Sequence, residues 1–267
     1  MSTLLISPGP ITTVTLNRPD VRNAFDAALI HDLTAWASSV PADGSVRAVV
    51  LQGAGSVFSA GADLEWMSTV LHYSRDENLE DARRAASMFQ AIDTIPVPVV
   101  ARIHGAALGG GAGLAAAADV VVAATDAVFG FTEVTLGILP AMISPYVVRK
   151  IGLSAAREFC LSGARFSAAR AREIGLVHEV VTAERLDLAV ERYTQQFRKA
   201  APSAVAATKA LLSLVHGKAP ADALATTVVA IANQRVSAEG QEGMRAFLEK
   251  RAPAWVAGDP AKVPRDS

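Results

Sequence analysis

The sequence predicts an α/β protein built on a mostly parallel sheet, and three observations support this prediction. Short Val- and Ile-rich runs alternate with helical patterns through the first half of the chain. Hydrophobic residues make up 51% of the 267 residues and charged residues 19%, a balance typical of a globular protein with a large core. After about Ser144 the strand signal fades. Strands that alternate with helices in this way predict a parallel sheet with helices on its faces.

Five short apolar runs predict the strands. Residues 11–16 alternate between apolar and polar side chains, whereas residues 46–52 are almost entirely apolar. The second pattern is expected of a strand that is covered on both faces of its sheet. The other three runs are residues 97–103, 119–124 and 127–131.

Two amphipathic segments predict helices between these strands. Residues 26–40 follow a helical period, and so do residues 79–92. The first segment places large apolar side chains on one stripe, which consists of Phe25, Leu29, Leu33 and Trp36. Such a stripe predicts a helix that packs on the sheet through one face.

The second half of the chain is predicted to be helical as far as Arg251. Ser154 and Ser167 are suitable N-caps, and Gly152 and Gly175 are suitable helix ends. Beyond residue 183 one helical face is apolar, and its members are Leu186, Ala189, Val190, Tyr193 and Phe197. Residues 252–267 are typical of a frayed tail.

We therefore predict an α/β body, residues 1–200, followed by a helical C-terminal region, residues 201–267. This region either packs on the body or contacts a neighbouring subunit. The apolar stretch 103–124 contains five glycines and Asp119, and it is interpreted as a buried helix and a strand, not a membrane span.

Charge and cysteine content exclude several classes of protein. With 25 basic and 26 acidic residues the formal charge is −1, so no strong field for nucleic acid or an anionic membrane is expected. The one cysteine, Cys160, cannot form an intrachain disulfide, and it is predicted to pack in the core. No secretory signal is recognised at the start of the sequence, so a cytoplasmic location is expected. No His, Cys and Asp cluster has the spacing of a metal site.

Two glycine-containing turns are the first candidates for chemistry. In FSAGADLEWM, Gly61 permits a tight turn and Asp63 suits the start of the next helix. In HGAALGGGAG, three glycines from Gly109 to Gly111 precede an Ala-rich helix. Backbone N–H groups at a helix start can stabilise an oxyanion or bind a phosphate. Close packing of helix against sheet is the alternative explanation for these glycines.

A dinucleotide site is a further alternative for the second turn. Gly111, Gly113 and Ala116 fit the pattern G-x-G-x-x-A, and Glu133 follows at about the distance expected for a ribose contact. The pattern begins several residues beyond the apparent end of the strand, however, which is unlike a Rossmann turn.

Glu133 is the third candidate, because it lies where a predicted strand leaves the sheet among apolar residues. Burial disfavours the charged form of a carboxyl and raises its pKa toward the range useful for proton transfer. A glutamate at a helix start or in a surface loop is the alternative interpretation.

Taken in order, these segments resemble the enoyl-CoA hydratase/isomerase (crotonase) superfamily. The resemblance covers nearly the whole chain, from LNRPDVRNAF through FSAGADLEWM, HGAALGGGAG and FGFTEVTLGILP to EGMRAFLEKR. The segments ADLEWM, GGGAGL and PAMISPYVVRKIG are most similar to the bacterial methylglutaconyl-CoA hydratase branch. The resemblance implies a crotonase-like spiral of β-β-α turns and a C-terminal region used for trimerisation.

The resemblance also implies roles for individual residues. The N–H groups of Ala62 and Gly110 would form the oxyanion hole, and Glu133 would be the catalytic acid and base. The residues implied to bind acyl-CoA are Val21, Arg22, Ala60, Asp63, Leu64, Gly109, Phe247 and Lys250. Of these, Phe247 and Lys250 would reach the adenine and phosphates, and another subunit could supply them. Coenzyme A is part of the substrate, and no other cofactor is expected.

The sequence departs from the family pattern at one important position. Hydratases of the family commonly carry a first glutamate on the glycine-rich helix, and Gly113 stands at that position here. A side chain at position 113 would be expected to point into the pocket. Ala141 also replaces a glycine that is usual in the family.

One carboxylate suits double-bond isomerisation, and it also suits hydration if Glu133 activates the water. The methylglutaconyl-type branch shares Gly113 and Glu133, and this similarity favours hydration of a 2-enoyl-CoA in fatty-acid or leucine breakdown. Isomerisation of a β,γ double bond is the alternative, followed by a dinucleotide-dependent oxidoreductase and a non-catalytic acyl-CoA- or RNA-binding homologue. A homotrimer or hexamer is expected, and Arg75 could pair with a distal carboxylate of the substrate.

Overall fold

A six-stranded sheet forms the centre of the computed structural model, which describes residues 2–257. The nine strands in this part of the chain are β1 (Leu4–Ser7), β2 (Ile11–Leu16), β3 (Ala48–Gly53), β4 (Val99–Ile103), β5 (Ala106–Leu108), β6 (Val120–Ala124), β7 (Val128–Gly130), β8 (Arg165–Ser167) and β9 (Glu179–Val181). The large sheet has the order β1-β2-β3-β4-β6-β9, and only its β1–β2 pair is antiparallel. The predicted parallel α/β architecture is therefore confirmed.

Helices lie on both faces of this sheet and continue beyond it. The helices of the described chain are α1 (Ala27–Ser39), α2 (Leu64–Val70), α3 (Arg75–Asp93), α4 (Gly110–Ala117), α5 (Ser144–Ser162), α6 (Ala168–Glu173), α7 (Leu186–Lys199), α8 (Pro202–Val215), α9 (Pro220–Val236), α10 (Ala238–Leu248) and α11 (Ala254–Ala257). The order β4-β5-α4 followed by β6-β7-α5 is the predicted succession of β-β-α turns. Helix α11 lies within the predicted tail, and residues 258–267 of that tail lie outside the described residues.

The two faces of the sheet contribute to different apolar clusters, because side chains alternate along each strand. Val49 and Leu51 of β3 pack with α1, α3, α4 and α5 in the main core. Val50, between them, packs with α7 on the opposite face through Leu186 and Val190. This double covering explains the nearly continuous apolar run that predicted β3.

Sequence reasoning missed four strands, namely β1, β5, β8 and β9. Three of them contain only three residues, which is too short for an alternating pattern to be recognised. Strands β5, β7 and β8 form a second, three-stranded sheet, and β9 completes the edge of the large one. The small sheet matters for function because it holds the second glycine turn.

The predicted helix signals at Ser167 and Gly175 are confirmed. Ser167 caps α6 by accepting a hydrogen bond from the Arg170 amide, and Gly175, with φ +84°, follows the end of that helix. Asp26 caps α1 through the Leu29 amide, a cap that sequence reasoning missed. Gly152 takes a non-helical conformation that interrupts α5, so Ser154 lies two residues beyond this kink, inside the helix. Helices α8, α9 and α10 pack mainly on one another, in the region predicted as a separate helical part. No helix within residues 2–257 has the length and hydropathy needed to cross a bilayer.

Candidate active site

A short parallel pairing brings the two glycine turns together. The Ser59 amide donates to the Ala106 carbonyl at 3.0 Å, and the Leu108 amide donates to the Ser59 carbonyl at 3.0 Å. Ser59 is thereby in register with Ala107. The segments are still adjacent at Gly61 and Gly109, and Ala62 and Gly110 are the residues that directly follow this contact.

Backbone contact between the two turns is close because both contain glycine. Gly61 has φ +93°, and a Cβ added there would lie 2.9 Å from the Leu108 carbonyl oxygen and 3.7 Å from Gly109 Cα. Gly109 has φ +51° and precedes α4. A residue with a side chain would be strained at either position and would separate the turns.

The amides of Ala62 and Gly110 are free to bind a ligand. On either side of Ala62, the Gly61 carbonyl accepts from the Phe25 amide and the Asp63 amide donates to the Phe25 carbonyl. The Ala62 amide, and the Gly110 amide at the start of α4, have no acceptor within the part of the chain that the structure describes. Two such donors on adjacent turns could stabilise charge on one oxygen atom.

Asp63 supports the first turn through its carboxylate. It accepts hydrogen bonds from the amides of Glu65 and Trp66 at the start of α2 and forms a 3.0 Å ion pair with Arg18. Burial opposes ionisation of Asp63, but these bonds outweigh it and lower its pKa. The side chain is buried and engaged by these partners, and the predicted place of Asp63 in the coenzyme A channel stays a prediction.

Glu133 lies beside the second turn, where β7 has just ended. The Gly109 amide donates to the Gly130 carbonyl at 2.8 Å, which ties the glycine turn to this strand. Glu133 begins a 3₁₀ turn, and its Oε1 lies 3.4 Å from the position that a Cβ on Gly109 would take. The predicted position of Glu133 at a strand exit is therefore confirmed, and the structure adds that this exit lies next to the glycine turn.

The environment of Glu133 favours its protonated form more than water does. Its Oε2 atom is buried and has no hydrogen-bond partner among the described residues. Burial raises the pKa of this carboxyl above its usual range, and a bond to its own backbone amide only partly opposes the shift. A carboxyl with a raised pKa is better suited to accept and then donate a proton than an exposed carboxyl is.

Gly113 does not face open space, which corrects the expectation that a side chain there would enter the pocket. A Cβ at position 113 would lie 2.9 Å from Ile143 Cβ and 3.0 Å from Phe89 Cε1. Both neighbours are buried to 2% exposure. The place of the first glutamate of the family is thus filled by apolar side chains.

Four of the predicted acyl-CoA contacts lie around the first turn. Val21 and Arg22 are exposed at the end of the 3₁₀ turn Pro19–Val21, and the Arg22 carbonyl accepts a hydrogen bond from the Ala60 amide at 2.9 Å. Leu64, at the start of α2, is 80% exposed. These residues are therefore near one another at the surface above Gly61, as a binding channel would require.

Phe247 and Lys250 lie elsewhere in the fold, at the end of α10. Phe247 is 82% exposed and Lys250 is exposed with φ +53°. Helix α10 packs mainly on α8 and α9. Their contact with the adenine and phosphates therefore stays a prediction.

Cys160 is close to the site, and sequence reasoning missed this. Burial and then the negative charge of Glu133 raise the pKa of its thiol. The end of α5 packs on the 3₁₀ turn that begins at Glu133, since a Cβ on Gly163 would lie 3.2 Å from Val134 Cγ2. Cys160 also packs against the main core, as predicted. Only this tertiary contact, and no local pattern, reveals its relation to Glu133.

The dinucleotide alternative does not fit the structure. Gly111, Gly113 and Ala116 are all buried inside α4, and the position of a Cβ on Gly111 is 2.7 Å from the Ser59 carbonyl oxygen. A pyrophosphate needs glycines in an accessible turn before the helix. No group of three or more metal-binding side chains occurs within residues 2–257.

Comparisons with known proteins show which family the chain resembles. The sequence model of the family described as Enoyl-CoA hydratase/isomerase matches residues 7–258. The 2,3-dehydroadipyl-CoA hydratase of Escherichia coli is 33% identical over 95% of this chain and 98% of its own length. Two solved structures have a TM-score of 0.91. Pseudomonas aeruginosa AtuE is 41% identical and covers 95% of this chain and 99% of its own. An enoyl-CoA hydratase from Shewanella pealeana is 36% identical and covers 95% of this chain and 96% of its own.

Proposed function

The chain belongs to the enoyl-CoA hydratase/isomerase family and has the crotonase fold, and we propose that it adds water to a 2-enoyl-CoA thioester. The observation that carries this proposal is the position of Glu133 beside Gly109, on the turn that presents the Gly110 amide. A proton-transfer group and an oxyanion donor are thereby within one small region.

The amides of Ala62 and Gly110 would bind the thioester carbonyl oxygen. Addition of water to Cβ pushes negative charge onto this oxygen and forms an enolate. Fixed donors stabilise the enolate more than the neutral carbonyl, and this difference lowers the barrier. Loss of one such donor typically costs about 10²–10³ in rate.

Glu133 would move both protons of the reaction. Its carboxylate takes a proton from water as the oxygen attacks Cβ, and the resulting carboxylic acid returns a proton to Cα of the enolate. The net reaction adds H and OH across the double bond and leaves Glu133 as it began. The raised pKa of Glu133 suits this exchange, because base and acid are then close in free energy.

Isomerisation is the second candidate, and the filling of the space beside Gly113 favours it. Without a second carboxylate, Glu133 could remove a proton from Cγ and return it to Cα with no water involved. The names of similar proteins support hydration instead, since the relative from Escherichia coli and the structure from Shewanella pealeana are both hydratases. We therefore place hydration first.

A carboxylated enoyl group, as in methylglutaconyl-CoA, is the finer substrate proposal and would place the enzyme in leucine breakdown. The resemblance of ADLEWM, GGGAGL and PAMISPYVVRKIG supports it. Arg75, the expected partner of the distal carboxylate, is 89% exposed at the start of α3 and is engaged only by the neighbouring Asp76. An unchanged KM for a carboxylated enoyl-CoA in Arg75→Ala would remove Arg75 from the proposal.

Assembly and location are also proposals. Large apolar side chains are exposed on α8, α9 and α10, and they include Leu212, Leu214, Leu224, Val228, Val229, Ile231 and Met244. Their burial between subunits would support a homotrimer or hexamer. The proposed reaction uses no cofactor besides the coenzyme A of the substrate, and it would take place in the cytoplasm.

The deciding experiment offers crotonyl-CoA, methylglutaconyl-CoA and a 3-enoyl-CoA to the wild type and to Glu133→Gln. We expect the wild type to hydrate a 2-enoyl-CoA and Glu133→Gln to lose about 10²–10⁴ in kcat. Glu191→Gln, an exposed glutamate on α7, is the matched control and should keep full activity.

Double-bond migration without hydration would establish the isomerase alternative. Full activity of Glu133→Gln would contradict the assignment of the acid, and binding of acyl-CoA without turnover would indicate a non-catalytic homologue.

A further inference from the structure

Two lysines from other helices lie at the carbonyl end of α4, and one of them binds its last carbonyl. Lys150 of α5 donates from Nζ to the Ala118 carbonyl at 2.5 Å and to the Asp119 carbonyl at 3.1 Å. Lys209 of α8 lies 2.7 Å from the Asp119 carboxylate. Both lysines border a cleft of about 660 Å³ between α4, α5 and α8.

Close packing, and not polar side chains of its own, holds the rest of helix α4 in place. Its eight residues are glycines, alanines and one leucine, so it carries no polar side chain, and its N-cap residue is a glycine without a capping side chain. Its first residue, Gly110, is packed against the Phe25 ring, and Gly113 against Ile143. Because eight helical residues span only about 12 Å, a shift at the carbonyl end displaces the Gly110 amide at the other end.

We propose that Lys150 is a positioning residue for the oxyanion site: its ammonium group anchors the carbonyl end of α4 and so keeps the Gly110 amide aimed at the thioester oxygen. The inference rests on the proposed role of Gly110, and it names a residue at the opposite end of the helix from the reacting atoms. A charged donor binds carbonyl oxygens about twice as strongly as a neutral one, and a cation also suits the negative end of a helix dipole.

Among the described residues, Lys150 has no carboxylate in ion-pair contact, because the carboxylates around it are paired with other cations. Those that face it or its cleft are Asp93, Asp119, Arg149, His178, Lys209 and His216. Arg149 forms an ion pair with Asp93, and Lys209 forms one with Asp119. His178 accepts a hydrogen bond at Nδ1 from the Val121 amide, and burial lowers its pKa. Within residues 2–257, Lys150 therefore has only the Ala118 and Asp119 carbonyls as hydrogen-bond partners.

This environment makes the anchor sensitive to alkaline pH. Burial lowers the pKa of Lys150 to about 8, although the negative charge of Asp119 opposes the shift. Arg149 stays charged throughout this range, since the hydrogen bond to Asp93 raises its pKa. Loss of the Lys150 proton above pH 8 should weaken its hydrogen bond to the Ala118 carbonyl and lower kcat. KM should change little, because the proposed acyl-CoA contacts lie elsewhere.

The test compares the wild type with Lys150→Arg, Lys150→Met and the control Lys218→Met, an exposed lysine after α8. From pH 6.5 to 9.5, kcat of the wild type should fall with an apparent pKa of about 8. Lys150→Arg, which remains charged, should lose this fall. Lys150→Met should show a kcat about tenfold lower at pH 7, less than the 10²–10³ typical of losing an oxyanion donor.

A measurement without turnover separates this inference from the proposed reaction. The infrared C=O stretch of bound butyryl-CoA, labelled with ¹³C in the thioester carbonyl, reports polarisation by the oxyanion amides. The shift to lower frequency should be smaller in Lys150→Met at pH 7 and in the wild type at pH 9.5, and unchanged in Lys218→Met.

An unchanged carbonyl shift in the wild type between pH 7 and 9.5 would overturn the inference, whether or not Lys150→Met folds. Persistence of the alkaline fall in Lys150→Arg would overturn it as well. If hydration is absent but the carbonyl shift depends on Lys150, the reaction assignment fails and the positioning role stands.

Discussion

Ile143 occupies the space into which a side chain at Gly113 would extend. A Cβ on Gly113 would lie 2.9 Å from Ile143 Cβ, and Ile143 is the residue that immediately precedes α5. This contact interlocks α4, which presents the Gly110 amide, with α5, which packs beside Glu133. The apolar filling leaves Glu133 as the carboxylate next to the glycine turn.

The interlocking predicts that even a methyl group at position 113 is unfavourable. Gly113→Ala should lower the free energy of unfolding by about 1–3 kcal/mol, because the core must shift to admit the extra carbon. Chemical denaturation of Gly113→Ala, Ile143→Ala and the double variant measures this coupling. The loss in the double variant should be smaller than the sum of the single losses; additive losses would contradict the contact.

Glu133 should lower stability at neutral pH while supporting the proposed catalysis. Its pKa is raised in the folded state, so between the unfolded value of about 4.3 and the folded value the folded protein holds more protons. The contribution of Glu133 to the free energy of unfolding is therefore greatest at acidic pH, and it falls as the pH rises through that interval. Glu133→Gln should raise Tm at pH 7, because the neutral amide avoids the cost of burying a charge.

The same difference in Tm should become small near pH 4, where the carboxyl is mostly protonated in both states. Thermal unfolding followed by circular dichroism at several pH values makes the comparison, with Glu191→Gln as the exposed control. If Glu133→Gln gains as much in Tm at pH 4 as at pH 7, burial does not destabilise the charged form of Glu133.

The activity should have an acid limb that belongs to Glu133. Since the proposed first step needs the carboxylate, kcat/KM should fall as pH drops through its raised pKa, which lies above the ordinary value of 4.5. Initial rates on crotonyl-CoA between pH 4.5 and 8 measure the limb. The residual rate of Glu133→Gln should not change over this limb, and an identical limb in that variant would assign it to another group.

The close approach of the two turns predicts a sensitive position at Gly61. Gly61→Ala should reduce kcat by about 10², because its Cβ would meet the Leu108 carbonyl oxygen and displace the Ala62 amide. Gly217→Ala is the matched control, since Gly217 also has positive φ, +74°, but a Cβ there would have nothing within 4 Å. Equal kcat in both variants would contradict a role of the contact between the turns in catalysis.

Local patterns revealed much of the fold and of the site. The uninterrupted apolar run of β3, the stripe on α1 and the cap at Ser167 each depend on neighbours in sequence, and all three were predicted. The glycines at 61 and 109 and the glutamate at a strand exit were recognised for the same reason. Strands of three residues, such as β9, carry too little periodicity to be recognised alone.

The sequence by itself determined the α/β class, the two glycine turns and the acid at position 133, because periodicity, backbone freedom and side-chain chemistry are properties of short segments. The tertiary structure alone decided that Ser59 pairs with Ala107, that Asp63 is engaged by Arg18, and that Ile143 fills the space at Gly113. These contacts join residues distant in sequence, so they depend on how the strands register and the helices pack, which no single segment encodes.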